Sequence, residues 1–303
     1  MESTKDSLKR EFEVTDLGDI HWLLGIQIEF VKAGITLSQA AYIDTILKRF
    51  GMTDCSSVSL LIEVNHRMVK GTTDETIEDI SRYQQIIGSL MYTVTGTRPD
   101  LAYTVTLLSQ FSSCPNQQHL SAAKRVLRYL KGTRDQKLVF PYTHGSTPLS
   151  LEGYCDSDLA GSHDSRRSTS GYIFRLAGST ICWRSRKQRS VATSTPEGEY
   201  MAAAMASKQL VWLQRAMLEL HLKDVPSALH CDNTGAIDMA HNPRISDRSK
   251  HIDIQYHFVR ELIDNGTLTM LYIETAKNLA DICTKGLPKD THNRLRTAIL
   301  HNG

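Results

Sequence analysis

The pattern of apolar and polar positions changes character near residue 140. Before it, residues 20–30 (IHWLLGIQIEF) form an apolar, partly β-branched run that suits a buried strand. GITLSQ then alternates as its hairpin partner, turned at Ala33-Gly34. In AAYIDTILKRFGM, the residues Ile43, Ile46, Leu47 and Phe50 recur at amphipathic-helix spacing, with Gly51 as the stop. Residues 53–80 read as a polar surface connection. Helices are predicted over 82–95, 100–112 and 117–131. Gly96-Thr97-Arg98-Pro99 separates the first two, Gly132-Thr133 ends the third, and KLVFPY follows as a short strand. The turn formers of PYTHGSTP (141–148) predict a linker between a domain over 1–140 and another over 141–303.

Beyond the linker, strands and helices alternate. LSLEGYCDSD, GYIFRLAG and STICWRSRK read as three strands, the last two joined by a tight turn, and Glu197–Leu220 as a long helix built on alanines. SALHCD is a strand, NTGAIDMAH a short helix and HIDIQYHFVRELIDNG a helix with a glycine stop. TLTMLYIET is a fifth strand and KNLADICTKGL a last helix. This order predicts an α/β layered domain, a mixed five-stranded sheet with flanking helices, preceded by a mainly helical region carrying a β-hairpin.

Composition narrows the class without naming a function. The 303 residues suffice for one large or two ordinary domains, and 41% hydrophobic with 22% charged residues is usual for a globular chain. No apolar run approaches the ~20 residues of a membrane span, and the charged start MESTKDSLKREFEV lacks a signal-peptide core. An intracellular protein is expected, in the cytoplasm, a virus-like particle or the nucleus. The six cysteines form no C-x-x-C pair and no zinc-finger spacing, so free thiols are expected rather than structural zinc. The net charge of +2 says little, because 35 basic residues nearly cancel 33 acidic ones; any nucleic-acid contact must come from local clusters.

Four carboxylates fall where such a fold would gather them. Asp156 ends the first strand of the second half and Glu199 lies in the first turn of the long helix. Asp232 ends the fourth strand, and Asp281 lies in the last helix. Taken singly, each suits a helix cap or an exposed position. Together they suit hard cations: two Mg²⁺ ions roughly 3.5–4 Å apart can activate water and stabilise a leaving 3′ oxygen, and Mg²⁺ takes oxygen ligands.

The surrounding strings carry a resemblance. GYCDSDLAGSHDSRRSTSGYIF (153–174), STPEGEYMAAAMASKQLVWL (194–213), LHCDNTGAI (229–237), RSKHIDIQYHFVRE (248–261) and NLADICTKGL (278–287) resemble, in order, the ribonuclease H domain of copia-type (Pseudoviridae-like) retrotransposon Pol polyproteins. That fold has the order of elements predicted above. By position, the resemblance implies Asp156, Glu199, Asp232 and Asp281 as catalytic metal ligands. Asp158 competes for the first role, because two residues apart on a strand both carboxylates face one side. His251 and Asp253 become helix-start or substrate-side residues, with N-capping as the plainer role. Leu159 stands where the family usually has tryptophan, and Gly286 where it usually has proline.

DLGDIHWLLGIQI (16–28), GSLMYTVTGTRPDLAYTVTLLSQF (88–111) and HLSAAKRVLRYLKGT (119–133) resemble the segment after the polymerase palm, the thumb and the connection of the same polyproteins. No Tyr-x-Asp-Asp turn is present, so no polymerase activity is expected from these residues. The implied activity is Mg²⁺-dependent hydrolysis of the RNA strand of RNA–DNA hybrids, with Mn²⁺ as a possible substitute. The implied partners are the hybrid and the rest of a reverse transcriptase, and no membrane. The alternative is an inactive retroelement relic that binds nucleic acid or acts as a scaffold. An integrase would place its glutamate last, and an aspartic protease would need an Asp-Thr/Ser-Gly loop.

Two basic clusters are candidates for phosphate contacts. Lys124, Arg128 and Lys131 share one helix face at i, i+4 and i+7, as a thumb helix tracking a backbone would, although a solvated face has the same spacing. Arg184, Arg186, Lys187 and Arg189 concentrate charge just before the glutamate-bearing helix, where phosphates beside the acids would lie.

Overall fold

Two five-stranded sheets organise the protein, and the chain's last strand returns to the first of them. The computed structural model describes residues 2–62, 68–70, 76–142, 149–159, 161, 165–222, 227–241 and 250–302; the side chains of 2–4, 250–256 and 301–302 lie outside that description. Most of the expected linker, 143–148, is also outside it.

After α1 (Glu2–Glu11), the first sheet begins with β1 (Trp22–Leu23), β2 (Ile26–Val31) and β3 (Gly34–Ser38). The expected single buried strand over 20–30 is instead two strands broken at Leu24 and Gly25, both with positive φ. Trp22 and Leu23 are exposed, because β1 is the sheet's edge. Val31 pairs with Gly34, so the hairpin turns at Lys32-Ala33, one residue earlier than expected. Gly34 belongs to β3 and sits where a Cβ would lie 2.2 Å from the Phe140 carbonyl oxygen. This approach lets β4 (Gln136–Pro141) pair alongside.

The helical region packs α2 (Ala40–Arg49), α3 (Ile80–Gly96), α4 (Ala102–Ser109) and α5 (Gln117–Gly132) around Ile43, Ile46, Tyr83, Leu90, Leu108 and Leu127. Asn116 caps α5 in a reciprocal box, its side chain accepting from the His119 amide while His119 Nδ1 accepts from the Asn116 amide.

In the second sheet, β5 (Leu151–Asp158), β6 (Thr169–Leu176) and β7 (Ser179–Lys187) form an antiparallel meander. Then come α6 (Thr195–Glu219), β8 (Ser227–Cys231), α7 (Thr234–His241), α8 (Lys250–Asp264) and β9 (Thr269–Tyr272). β8 pairs parallel with β5, and β9 parallel with β8, giving the order β7-β6-β5-β8-β9. Ala202, Ala203, Ala204, Ala206 and Ser207 are buried along α6, and side chains this small let the helix lie close over β5. The expected final helix over KNLADICTKGL is two short 3₁₀ turns, Thr275–Lys277 and Leu279–Cys283. A further helix, α9 (Lys289–Ile299), and strand β10 (His301–Asn302) follow, neither of them predicted.

β10 pairs antiparallel with β4, so the C-terminal residues complete the first sheet across the expected boundary at 140. A shared core lies between the sheets, where Ala102 and Leu138 meet Tyr154, Ile173, Leu279, Leu295 and Ile299. Beside it runs a polar network that sequence reading passed over. Arg98 Nε and Nη2 donate to the two carboxylate oxygens of Asp100 (2.9 and 2.8 Å), and its Nη1 donates to the Thr133 carbonyl. Tyr129 Oη donates to Asp100 and accepts from Arg296 of α9. No helix among the described residues is long and apolar enough to cross a membrane, and all six cysteines are free thiols.

Candidate active site

Three elements converge at one edge of the second sheet. β5 runs in the centre and carries Asp156, which is 2% exposed, two residues before its end. β8 lies beside it in parallel register and delivers Asp232 one residue past its end. The 3₁₀ turn Leu279–Cys283 folds over β5 and β6 and carries Asp281. Oxygens of Asp156, Asp232 and Asp281 lie within 4.8 Å of one another; Glu199 forms an overlapping group with Asp232 and the Cys231 thiol.

Local chemistry explains the placement of each. Ser194 caps α6 by accepting from the Glu197 amide, and the Glu197 carboxylate accepts from the Thr193 amide at 2.6 Å. Glu197 therefore completes the cap that Ser194 begins. Glu199 lies one residue into the second turn rather than in the first, turned inward and buried. The turn bearing Asp281 is pinned by Asn278, which is wholly buried: its Nδ2 donates to the Cys155 carbonyl at 2.9 Å, while its Oδ1 accepts from the Ala280 amide. Thr284 Oγ1 donates to Asp156 Oδ2. Gln188 Nε2 donates to Ser157, Ser170 and the Gly198 carbonyl, joining β5, β6 and α6. Asn278, Thr284 and Gln188 were not singled out by sequence reading, although the first two fall inside the NLADICTKGL string.

Gly171, paired with Asp156 across the sheet, makes room for this turn. A Cβ there would lie 2.7 Å from both Cys283 Cβ and Thr284 Cγ2. Gly171→Ala is expected to cost about 1–3 kcal/mol in urea unfolding and to weaken metal binding, because the Asp281 turn must lift away.

Crowding acids out of water disfavours their charged forms. Burial, reinforced by Asp156, pushes Glu199 up to about 10. The same causes push Asp281 up to about 7, and burial raises Asp158. Asp158 is half-exposed at the strand's end and belongs to neither group of close carboxylates.

Lys285 enters the same cluster. Its Nζ lies 2.9 Å from Asp281 Oδ1, as an ion pair rather than an aligned hydrogen bond, and 3.6 Å from Asp156 Oδ2. Burial pulls its pKa down, but Asp156 and Asp281 more than offset this and hold it above the ordinary lysine value.

The donor set fits a hard divalent cation. Four carboxylates share a small volume, and Glu199 Oε2 is buried with no hydrogen-bond partner among the described residues, as a ligand oxygen awaiting a cation would be. The Cys231 sulfur is a softer donor at the margin of the group.

The basic candidates fare differently. Arg128 donates to the Ser56 carbonyl and hydroxyl, and Lys131 Nζ to the carbonyls of Thr53 and Cys55, both at 2.7 Å. These two hold the 53–56 segment against α5, with Arg125 doing the same at the Leu60 carbonyl. Lys124 is half-buried on the same helix. Arg184, Arg186, Lys187 and Arg189 come together, with Lys208 and Trp212 of α6, around a cleft of about 520 Å³. None of the four carboxylates lines it. His251 and Asp253 fall in the first turn of α8, but their side chains lie outside the described residues.

A sheet ordered β7-β6-β5-β8-β9, with acids at the ends of β5 and β8, on the covering helix and on the closing turn, defines the second half as a ribonuclease H-like fold. Residues 1–64 match the family model described as reverse transcriptase (RNA-dependent DNA polymerase). The chain is 39% identical over 293 residues to the retrovirus-related Pol polyprotein from transposon TNT 1-94 of Nicotiana tabacum, covering 94% of this chain and 22% of that protein. It is 37% identical over 302 residues to the corresponding polyprotein from transposon RE1 of Arabidopsis thaliana, covering 99% and 20%. The chain belongs to the copia-type retrotransposon Pol family and spans about a fifth of the length of these relatives. The crystal structure of LC11-RNase H1 in complex with RNA/DNA hybrid aligns with a TM-score of 0.34 and 16% identity, covering 45% of this chain and 94% of that one.

Proposed function

We propose that the protein is a divalent-metal-dependent ribonuclease acting on the RNA strand of RNA–DNA hybrids, with Asp156, Glu199, Asp232 and Asp281 as the metal-holding acids. The observation that carries this reading is the gathering of Asp156, Asp232 and Asp281 within 4.8 Å of one another, with Glu199 beside them. When bound, a pair of Mg²⁺ ions supplies Lewis acidity at the phosphodiester and lowers the pKa of the attacking water. The protein's part is to hold the carboxylates in place: Thr284 orients Asp156, Asn278 fixes the turn of Asp281, and Gln188 fixes the start of α6 against β5. Hydrolysis leaves a 3′-hydroxyl and a 5′-phosphate. The cleft lined by Arg184, Arg186 and Arg189 is the better of the two basic candidates for phosphate contacts, because the donors of Arg128 and Lys131 are engaged with backbone carbonyls. The functional unit comprises residues 141–303, supported through β4, β10 and the shared core by residues 1–140. Its wider partner is the remainder of a reverse transcriptase.

The test uses a hybrid labelled on each strand, incubated with the protein in Mg²⁺ or Mn²⁺ beside an EDTA control and Asp156→Asn. RNA-strand cleavage that disappears in both controls is the expected result. A folded protein that cleaves neither strand in either metal overturns the reading and leaves the inactive-relic alternative.

A further inference from the structure

The acidic pocket already contains a cation of its own. Lys285 lies four residues after Asp281, and its ammonium lies 2.9 Å from Asp281 and 3.6 Å from Asp156. Those are two of the three carboxylates whose oxygens lie within 4.8 Å of one another. A divalent ion bound by that trio would sit against the same two carboxylates and would meet the ammonium at repulsive distance. The two charges therefore exclude each other. The geometry also provides an exit: about 32% of the Lys285 side-chain surface faces solvent, against 3% for Asp156 and 7% for Asp281. A flexible four-carbon stem can withdraw the charge into water while the carboxylates stay where β5 and the Asn278-pinned turn hold them.

We propose that Lys285 is a resident counter-ion of the acidic pocket, neutralising Asp156 and Asp281 in the metal-free protein and giving way when a divalent ion binds. This rests on the metal-site reading above. Lys285 is then a positioning residue that keeps the pocket assembled without metal and weakens metal binding, since each ion must first displace it. A merely structural ion pair behaves differently: its loss weakens the fold with or without metal and leaves metal affinity unchanged or lower.

The experiment measures Mn²⁺ binding by isothermal titration calorimetry, and melting in EDTA and in saturating Mn²⁺, for the whole chain and two variants. Lys285→Met is expected to bind Mn²⁺ about ten-fold tighter or more. It should also melt lower than the unaltered protein in EDTA, with that gap closing in Mn²⁺. Lys285→Arg keeps the charge in a fork that engages two carboxylates, and should bind Mn²⁺ more weakly than the unaltered protein. The Arg variant keeps the test decisive should the Met variant not fold. Unchanged or weaker Mn²⁺ affinity in Lys285→Met, or unchanged or tighter affinity in Lys285→Arg, overturns the resident role while leaving the metal site standing. No Mn²⁺ binding by the unaltered protein overturns both.

Discussion

Glu199→Gln is expected to lower the rate of RNA-strand cleavage by more than about 100-fold while making the metal-free protein more stable by about 1–2 kcal/mol. The two effects have opposite signs because one arrangement causes both. Glu199 is buried on α6, its Oε2 has no hydrogen-bond partner among the described residues, and Asp156 and Asp232 stand close by. Folding without metal therefore brings an ionisable carboxyl into a place that disfavours its charge. The group's folded pKa, about 10, lies above its unfolded value near 4.5. Its contribution to stability is thus fully present below about pH 4.5 and is lost as the pH rises towards 10. A neutral amide removes that loss at pH 7 and can donate to the neighbouring carboxylates, but it makes a poor ligand for a hard cation. Calorimetric melting in EDTA, beside hybrid cleavage in Mg²⁺, checks both halves. A variant that loses stability in EDTA contradicts the account of a site that is costly to assemble without its cation.

The same contrast shows what the sequence could disclose. The four acids were legible because each sits in a long string whose order matches a family, and the second half follows that order strand by strand. Lys285 lies in the same string as Asp281, but its role depends on the turn folding back over β5, which no local spacing encodes. α9 escaped notice because KDTHNRLRTAI buries only His292, Leu295 and Ile299, too few apolar positions to mark a helix face. The run IHWLLGIQIEF misled in the opposite direction. Its apolar residues suggest burial, yet Trp22, Leu23 and Leu24 are more than half exposed, at 53%, 52% and 80%. The basic face of α5 is a third kind of case. Lysines and arginines at i, i+4 and i+7 look alike whether they meet phosphates, water or the carbonyls of a neighbouring segment, and here Arg128 and Lys131 meet carbonyls between Thr53 and Ser56.

Arg98→Met is expected to cost about 3–5 kcal/mol of stability. Arg98 and Asp100 are both completely buried, and each is the other's counter-charge through two hydrogen bonds. The Arg98 guanidinium holds Asp100 below the ordinary carboxylate value even though burial pushes the other way. Removing the arginine strands a carboxylate in the interior with Tyr129 Oη as its remaining side-chain donor. It also frees the end of α5, where Arg98 donates to the carbonyl and hydroxyl of Thr133. The double variant Arg98→Met/Asp100→Leu should recover most of the loss, because it leaves no unpaired charge and Thr133 Oγ1 keeps its bond to the Tyr129 carbonyl. Urea unfolding of the single and double variants, analysed with a common slope, measures the difference. The damage should also reach the acids: the turn Pro99–Leu101 packs against Leu279–Cys283, and Tyr129 links Asp100 to Arg296 of α9. Arg98→Met should therefore bind Mn²⁺ more weakly even at temperatures where it remains folded, and the double variant should restore that affinity together with the stability. Unaltered Mn²⁺ binding in a folded Arg98→Met protein would show that the helical region supports the second sheet without helping to set its acidic site.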